Sequence, residues 1–274
     1  MKTYAFNALA LIGLTLLSLP GYSDNSQNNS SAEKTIRIMT VVICQQDNFL
    51  QYLLEPYLSG KNIKIEYRKG HHSEVARAVV NKEVDFVITH KKVKALQKLE
   101  AEGRLGKGRT LFANPMVFLG PKGDPAGIKG LSDPVLAVRK ILESEYCFVV
   151  NNHGRLKMIQ EKLLEQSQVK GGCVIRNEEN EKLTAMDVAF KKNAYTLWGL
   201  HPYAQKSENR LEAILIPDKS LLESMNGWVV SGTDVGNDAK ELLNYLDSEE
   251  VEKKISEFRL AGYKDIQAWW PVDN

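Results

Sequence analysis

From residue 35 onward the spacing of apolar residues changes repeatedly, from every second position to every third or fourth and back. Ile36, Ile38, Val41 and Val42 form a β-branched run that predicts a strand. Phe49, Leu50, Leu53, Leu54, Tyr57 and Leu58 then fall on one helical face. Residues 62–67 (NIKIEY) alternate polar and apolar, as a strand with one solvated face would. Val75, Ala76, Val79 and Val80 return to helical spacing over 73–81, with Ser73 placed to cap the helix. A strand over 84–89 (VDFVIT) and a charged amphipathic helix over 91–102 follow.

The second half keeps the alternation. An apolar strand is expected over 111–119, interrupted at Asn114-Pro115, then a helix over 133–144, a strand over 146–150 and a helix over 156–166. Short strands are expected at 173–175 and 194–197, and further strands at 211–216 and 227–230. Helices over 239–246 and 249–258 close the pattern. Strand–helix–strand units in series predict an α/β fold, parallel strands with helices on both faces.

The N-terminus obeys a different rule. Lys2 supplies a positive start, residues 5–19 are almost uninterruptedly apolar, Pro20 breaks the run, and Gly21-Tyr22-Ser23 offers small residues where a signal peptidase reads. Residues 1–23 are expected to be a signal peptide, which places the protein in the periplasm. The apolar run is short for a membrane span, and no cysteine follows it to carry a lipid anchor. Residues 24–33 (DNSQNNSSAE) have no apolar period and read as a disordered leader.

Composition narrows the function classes. Of 274 residues 43% are apolar and 26% charged, an ordinary globular balance. A net charge of only +2, from 36 basic and 34 acidic side chains, argues against a nucleic-acid partner. Three cysteines are too few for a disulfide scaffold. The chain contains no G-x-S-x-G, P-loop, H-E-x-x-H or C-x-x-C motif, and no enzyme or cofactor is expected. Residues 103–108 (GRLGKG) lack the G-K-[ST] ending of a phosphate loop and read as a surface turn after a helix. The acidic pairs Glu178-Glu179 and Glu249-Glu250 read as solvated.

Residues 114–130, NPMVFLGPKGDPAGIKG, resemble the N-D-F-x-x-x-G-P-x-x-D-P-A-G-I segment of periplasmic tungstate-binding proteins, the solute receptors of tungstate ABC transporters. Residues 84–90 (VDFVITH) are similar to that family's strand ending in histidine, and 194–197 (AYTL) to its A-Y-T-L strand. Residues 225–230 (MNGWVV) and the end through Trp269-Trp270-Pro271 resemble its return strand and C-terminal helices. The resemblance implies a two-lobed class II periplasmic-binding-protein fold, mixed sheets flanked by helices, with two chain crossings near 111–121 and 211–230. Lobe one would comprise 34–113 and the return segment 219–274, and lobe two 114–218. Ligand would lie between the lobes, where helix N-termini favour anions, and hinge closure would trap it.

The family's ligand loops are rewritten here. Its T-T-T-S loop corresponds to Thr40-Val41-Val42-Ile43, where one hydroxyl remains. Its G-T-G-Q-A loop corresponds to Gly70-His71-His72-Ser73-Glu74, and its S-R-G-D segment to residues 150–155, with Asn151 in the arginine's place. The resemblance thus nominates Thr40, His71, His72, Ser73, Asn151, Asn152 and His153 as ligand contacts. Of the five histidines, His71, His72, His153 and His201 fall on loops aligned with the cleft, and Cys44 lies on the first such loop. Imidazole with thiolate would suit copper or zinc; the asparagines would suit an oxyanion or an organic ligand; or the histidines are ordinary surface residues. Cys147 and Cys173 are either bonded, as export would permit, or two buried thiols. Trp198, next to AYTL, is the tryptophan best placed for a pocket.

These features predict a monomeric solute-binding protein that captures a small molecule or ion, tungstate- or molybdate-like by resemblance, and passes it to a membrane permease for ABC-type uptake. The rival reading is an exported accessory or sensor protein using the same fold for protein interaction or metal or organic-ligand sensing. A hydrolase with an unrecognised site is a weaker third.

Overall fold

The computed structural model describes residues 33–41, 44, 47–152, 154–177, 183–206 and 210–272. The expected signal peptide, residues 24–32 of the expected leader, His153 and the pair Glu178-Glu179 lie outside the described residues. Chain order begins β1 (Lys34–Thr40), α1 (Phe49–Leu58), β2 (Ile63–Lys69), α2 (His72–Val80), β3 (Phe86–His90) and α3 (Lys94–Ala101). It continues through β4 (Arg109–Gly120), α4 (Pro134–Glu143), β5 (Cys147–Val150), α5 (Gly154–Ser167), β6 (Cys173–Arg176) and α6 (Ala185–Lys192). Then come β7 (Tyr195–Gly199), α7 (Leu200–Ala204), β8 (Glu212–Ile214), β9 (Leu222–Val229), α8 (Gly236–Leu246), α9 (Glu249–Glu257), β10 (Arg259–Leu260) and β11 (Tyr263–Gln267).

The main sheet runs β2-β1-β3-β9-β4-β7-β5-β6, with β8 also on β4. It has two parts hinged on one strand. β1 is parallel to β2 and β3; β9 returns antiparallel to β3; and the first half of β4, 109–115, pairs antiparallel with β9. From Met116 to Leu119 the same strand pairs with β7, which with β5 and β6 forms a second parallel set. The α/β class and the two-lobed arrangement are therefore present.

β4 is not interrupted at Asn114-Pro115 as its sequence led us to expect. Pro115 is opposite Leu222, the last partner on β9, and Met116 is opposite Gly199, the first on β7. A residue with no N–H thus sits where the strand changes partners, the place in a ladder that tolerates it. The strand expected at 227–230 starts at Leu222. The helices α6 and α7 and the β10–β11 pair were not anticipated.

Side chains alternate across the sheet, so each face has its own core. Phe86 and Ile88 join Ile36, Ile38 and the apolar stripe of α1, while Val87 turns to Val75 and Val79 of α2, Leu96 and Leu99 of α3, and Trp228. In the second part Phe118, Phe148 and Tyr195 pack against Ala137, Val138 and Ile141 of α4. The first cluster does not stop at the boundary between the parts: it also holds Val117, Val149, Met186 and Ala189. At its centre Phe49 stacks on Trp269, ring centroids 4.6 Å apart, and meets Phe112 edge-on at 5.0 Å.

Cys147 and Cys173 are opposite one another on β5 and β6, Cα atoms 4.4 Å apart, and are bonded. Gly103, with φ +71°, follows the last turn of α3 and ends it in a left-handed residue, so the GRLGKG run is the turn that its sequence suggested. Among the described residues no helix is long and apolar enough to cross a membrane.

Candidate functional site

Where β4 passes from one sheet part to the other, several strand ends and two helix starts converge. His90 ends β3, Asn114 and Met116 lie on either side of Pro115, Glu223 is opposite Asn114 on β9, and Trp198 is near the end of β7. His72 opens α2, and Arg155 and Leu156 open α5. Together with Lys92, Val93, Lys94, Met158, Gly199 and Pro202 they line a cavity of about 770 Å³.

Its polar wall is organised around two contacts. His72 Nε2 lies 3.0 Å from His90 Nδ1, the rings edge-on, so one imidazole donates and the other accepts. Burial, the neighbouring His72 and the Arg155 charge hold His90 down to about 4. Burial and then His71 lower His72. Both rings are therefore neutral in neutral solution. Arg155 Nε stands 3.0 Å from Glu223 Oε2. Among the described residues that carboxylate is the one acid in the cavity wall, against Arg155, Lys92 and Lys94, so the described wall carries a net positive charge. Asn114, only 6% exposed, has an amide oxygen with no hydrogen-bond partner among the described residues. A buried unpaired amide costs free energy unless something else engages it, and here it borders the cavity.

Of the residues nominated from the sequence, His72 lines this cavity. His71 is the cap residue before α2; its backbone N–H donates to Glu74 Oε2 at 2.6 Å, and Ser73 is exposed on the first turn. Glu74 is thereby committed to capping. The cap is His71 rather than Ser73 because the helix begins two residues earlier than a Ser73 cap implied. Thr40 is fully buried at the end of β1, its hydroxyl donating to the Val41 carbonyl at 2.9 Å. Asn151 is buried after β5, and its N–H donates to Gln160 Oε1 at 2.8 Å; Asn152 is half-buried beside it. None of these five lies in the wall of the cavity.

Two histidine expectations change. His201 is not on a loop but in α7, 1% exposed, with Nδ1 3.0 Å from Asp47 and Nε2 2.9 Å from the Ala268 carbonyl. It packs against Trp269 at 4.2 Å and belongs to the core. His90 joins His72 instead. Its position was visible in the VDFVITH run, but a strand-end histidine carried no alignment to a ligand loop. Arg155 was visible too: it opens α5 four residues after Asn151, where the resemblance placed a missing arginine. The metal reading gains no support from Cys44. It is fully buried, and burial with Asp47 nearby pushes its thiol well up, away from the thiolate a metal needs. Among the described residues no three histidine, cysteine, aspartate or glutamate side chains cluster as a metal site would require.

A second hollow, of about 320 Å³ beside α6 and α7, is lined by Met186, Phe190, Tyr203 and Lys206 among others and shares no residue with the cavity above.

The fold recurs in solved structures. A tungstate-binding protein, TupA, from Desulfovibrio alaskensis G20 superposes with a TM-score of 0.68 at 20% identity, over 88% of this chain and 100% of that one. The tungstate ABC transporter protein from Geobacter sulfurreducens gives 0.60 at 21% identity, over 83% and 100%. The substrate-binding domain of a putative molybdenum ABC transporter from Clostridium difficile gives 0.61 at 13%, over 87% and 99%. No curated protein matches the chain in sequence. At these identities the superpositions establish the fold and leave the ligand open. The sequence model of the bacterial extracellular solute-binding proteins, however, matches residues 48–258, most of the described structure and every element that lines the cavity. The chain belongs to the bacterial extracellular solute-binding protein family.

Proposed function

We propose that this protein captures an anionic solute in the cavity at β4 and delivers it, as an exported monomer, to the membrane permease of an ABC transporter. The observation that carries the reading is the charge of the cavity wall: Arg155, Lys92 and Lys94 oppose a single carboxylate, Glu223, which Arg155 already engages. Such a wall attracts an anion, and a guanidinium can hold an oxyanion through two parallel hydrogen bonds. The lobes would be 34–113 with 219–274, and 114–218, moving about β4 and β9. The start at residues 1–23 supports export. The solved relatives' names make tungstate and molybdate the first ligands to test.

A thermal-shift series with tungstate, molybdate, sulfate, phosphate and small organic acids tests this, because a ligand that binds only the folded state must raise Tm. At least one anion is expected to do so. Arg155→Gln should weaken that anion's binding by about 10- to 100-fold, the range for losing a charged hydrogen-bonding partner. No response to any anion, or a response indifferent to Arg155→Gln, contradicts the reading.

A further inference from the structure

The cavity wall is one-sided, and this bears on what kind of anion it holds. Its volume of about 770 Å³ leaves room for an organic molecule. A tetrahedral oxyanion needs donors on every side, since each desolvated oxygen left unpaired is costly. Trp198, Met116, Leu156 and Pro202 give part of this wall no strong donor beyond the indole N–H.

The cations lie together instead. A smaller hollow of about 240 Å³ adjoins the cavity and shares Lys92, Arg155 and Glu223 with it. It adds Lys91 and Lys219, so four cationic side chains there face the one carboxylate. Lys91 is held in place by donating to Thr110 Oγ1 at 3.0 Å. The shared residues mark the junction: basic on one side, aromatic and aliphatic on the other. The neutral His72–His90 pair adds hydrogen-bonding capacity to the chamber without adding charge.

We infer that the solute is an amphipathic organic anion, its acid group in the basic hollow at Arg155 and its apolar body in the chamber against Trp198 and Met116. The inference rests on the proposed anion-binding function and specifies the chemical class. An aromatic or branched aliphatic body would bury apolar surface on Trp198, while a carboxylate, sulfonate or phosphate monoester would meet the lysines and the guanidinium.

Titration calorimetry of the full chain with matched probes separates the possibilities. The organic anions are 4-toluate, 4-toluenesulfonate and 4-tolyl phosphate, which also rank the acid group; the controls are sulfate, tungstate and neutral 4-methylbenzyl alcohol. At least one tolyl anion should bind ten times more tightly than every control. Trp198→Ala, and Met116→Ala as a second variant in case the first disturbs folding, should cost that anion at least tenfold, a larger factor than either costs sulfate. Sulfate or tungstate binding as tightly as the tolyl anions overturns the inference and leaves the anion-binding function standing. The neutral alcohol binding as tightly overturns the placement of the acid group. If no probe binds, the inference falls, and the anion-binding function is decided by the thermal-shift series with its wider set of anions.

Discussion

At the scale of single residues, the His72–His90 contact makes the clearest demand on solution behaviour. His90 titrates near 4 in the folded protein, against about 6.5 for a free imidazole. Between those values the unfolded chain binds a proton that the folded protein does not, so stability is full above pH 6.5 and falls as pH drops toward 4. The slope from one such group is about 1.4 kcal/mol per pH unit. Urea unfolding at pH 7.0, 5.5 and 4.5 should show that loss, and His90→Gln, which can still hydrogen-bond His72, should flatten it. An unchanged slope in the variant would place the acid sensitivity elsewhere. Residue identity was legible only in part. The segment that most resembled a known family, GPKGDPAGI, proves to be architectural: Tyr195 of the AYTL strand donates to Asp124 Oδ1 at 2.9 Å and accepts from the Ala126 N–H at 2.9 Å. A Cβ on Gly120 would lie 2.2 Å from the Tyr195 ring, so that glycine is required too. Two motifs that matched in sequence match because they bind each other, which identifies the fold and says nothing of the ligand. The cavity residues His90 and Arg155 were each in plain view, but only the three-dimensional convergence of β3, β9 and α5 brings them together.

Among the elements, those with an uninterrupted apolar period were readable from sequence. α1 spans Phe49–Leu58 as expected, because five of its ten residues bury one stripe in the core. α6 was missed because it is only eight residues long and ends in Lys191-Lys192, too short a run for its apolar spacing to stand out; the readable signal was the Thr184–Asp187 capping box, in which the Asp187 N–H donates to Thr184 Oγ1 at 3.2 Å. The β5–β6 pair shows what spacing alone cannot decide: whether Cys147 and Cys173 are bonded depended on the two strands being neighbours in register. With a sequence separation of 26 between its ends, the bridge is expected to stabilise by about 3 kcal/mol through the unfolded chain. Reduction, verified by thiol counting, should lower Tm by roughly 6–12 °C for a chain of this length. An unchanged Tm with the bridge demonstrably open would show that strand pairing alone holds this edge.

For the molecule as a whole, the continuity of the core matters more than the two-part sheet. Ile36 and Leu53 of the first part share one hydrophobic cluster with Val149 and Met186 of the second. Differential scanning calorimetry should therefore show one cooperative transition with calorimetric and van't Hoff enthalpies in agreement; two separated peaks would mean that the parts unfold independently. β4 changes sheet partners between Pro115 and Met116, within the 111–121 crossing that the resemblance implied, whereas the shared core was not anticipated, since no sequence period reports which helix covers which sheet. The solute is proposed to bind where β4 makes that change of partners. Amide hydrogen exchange, with and without a saturating amount of whichever panel anion raises Tm most, tests it most directly. Added protection is expected at residues 90–94, 154–158, 198–200 and 222–224. Protection confined to the hollow of Met186, Phe190 and Tyr203, or none at all, would contradict it.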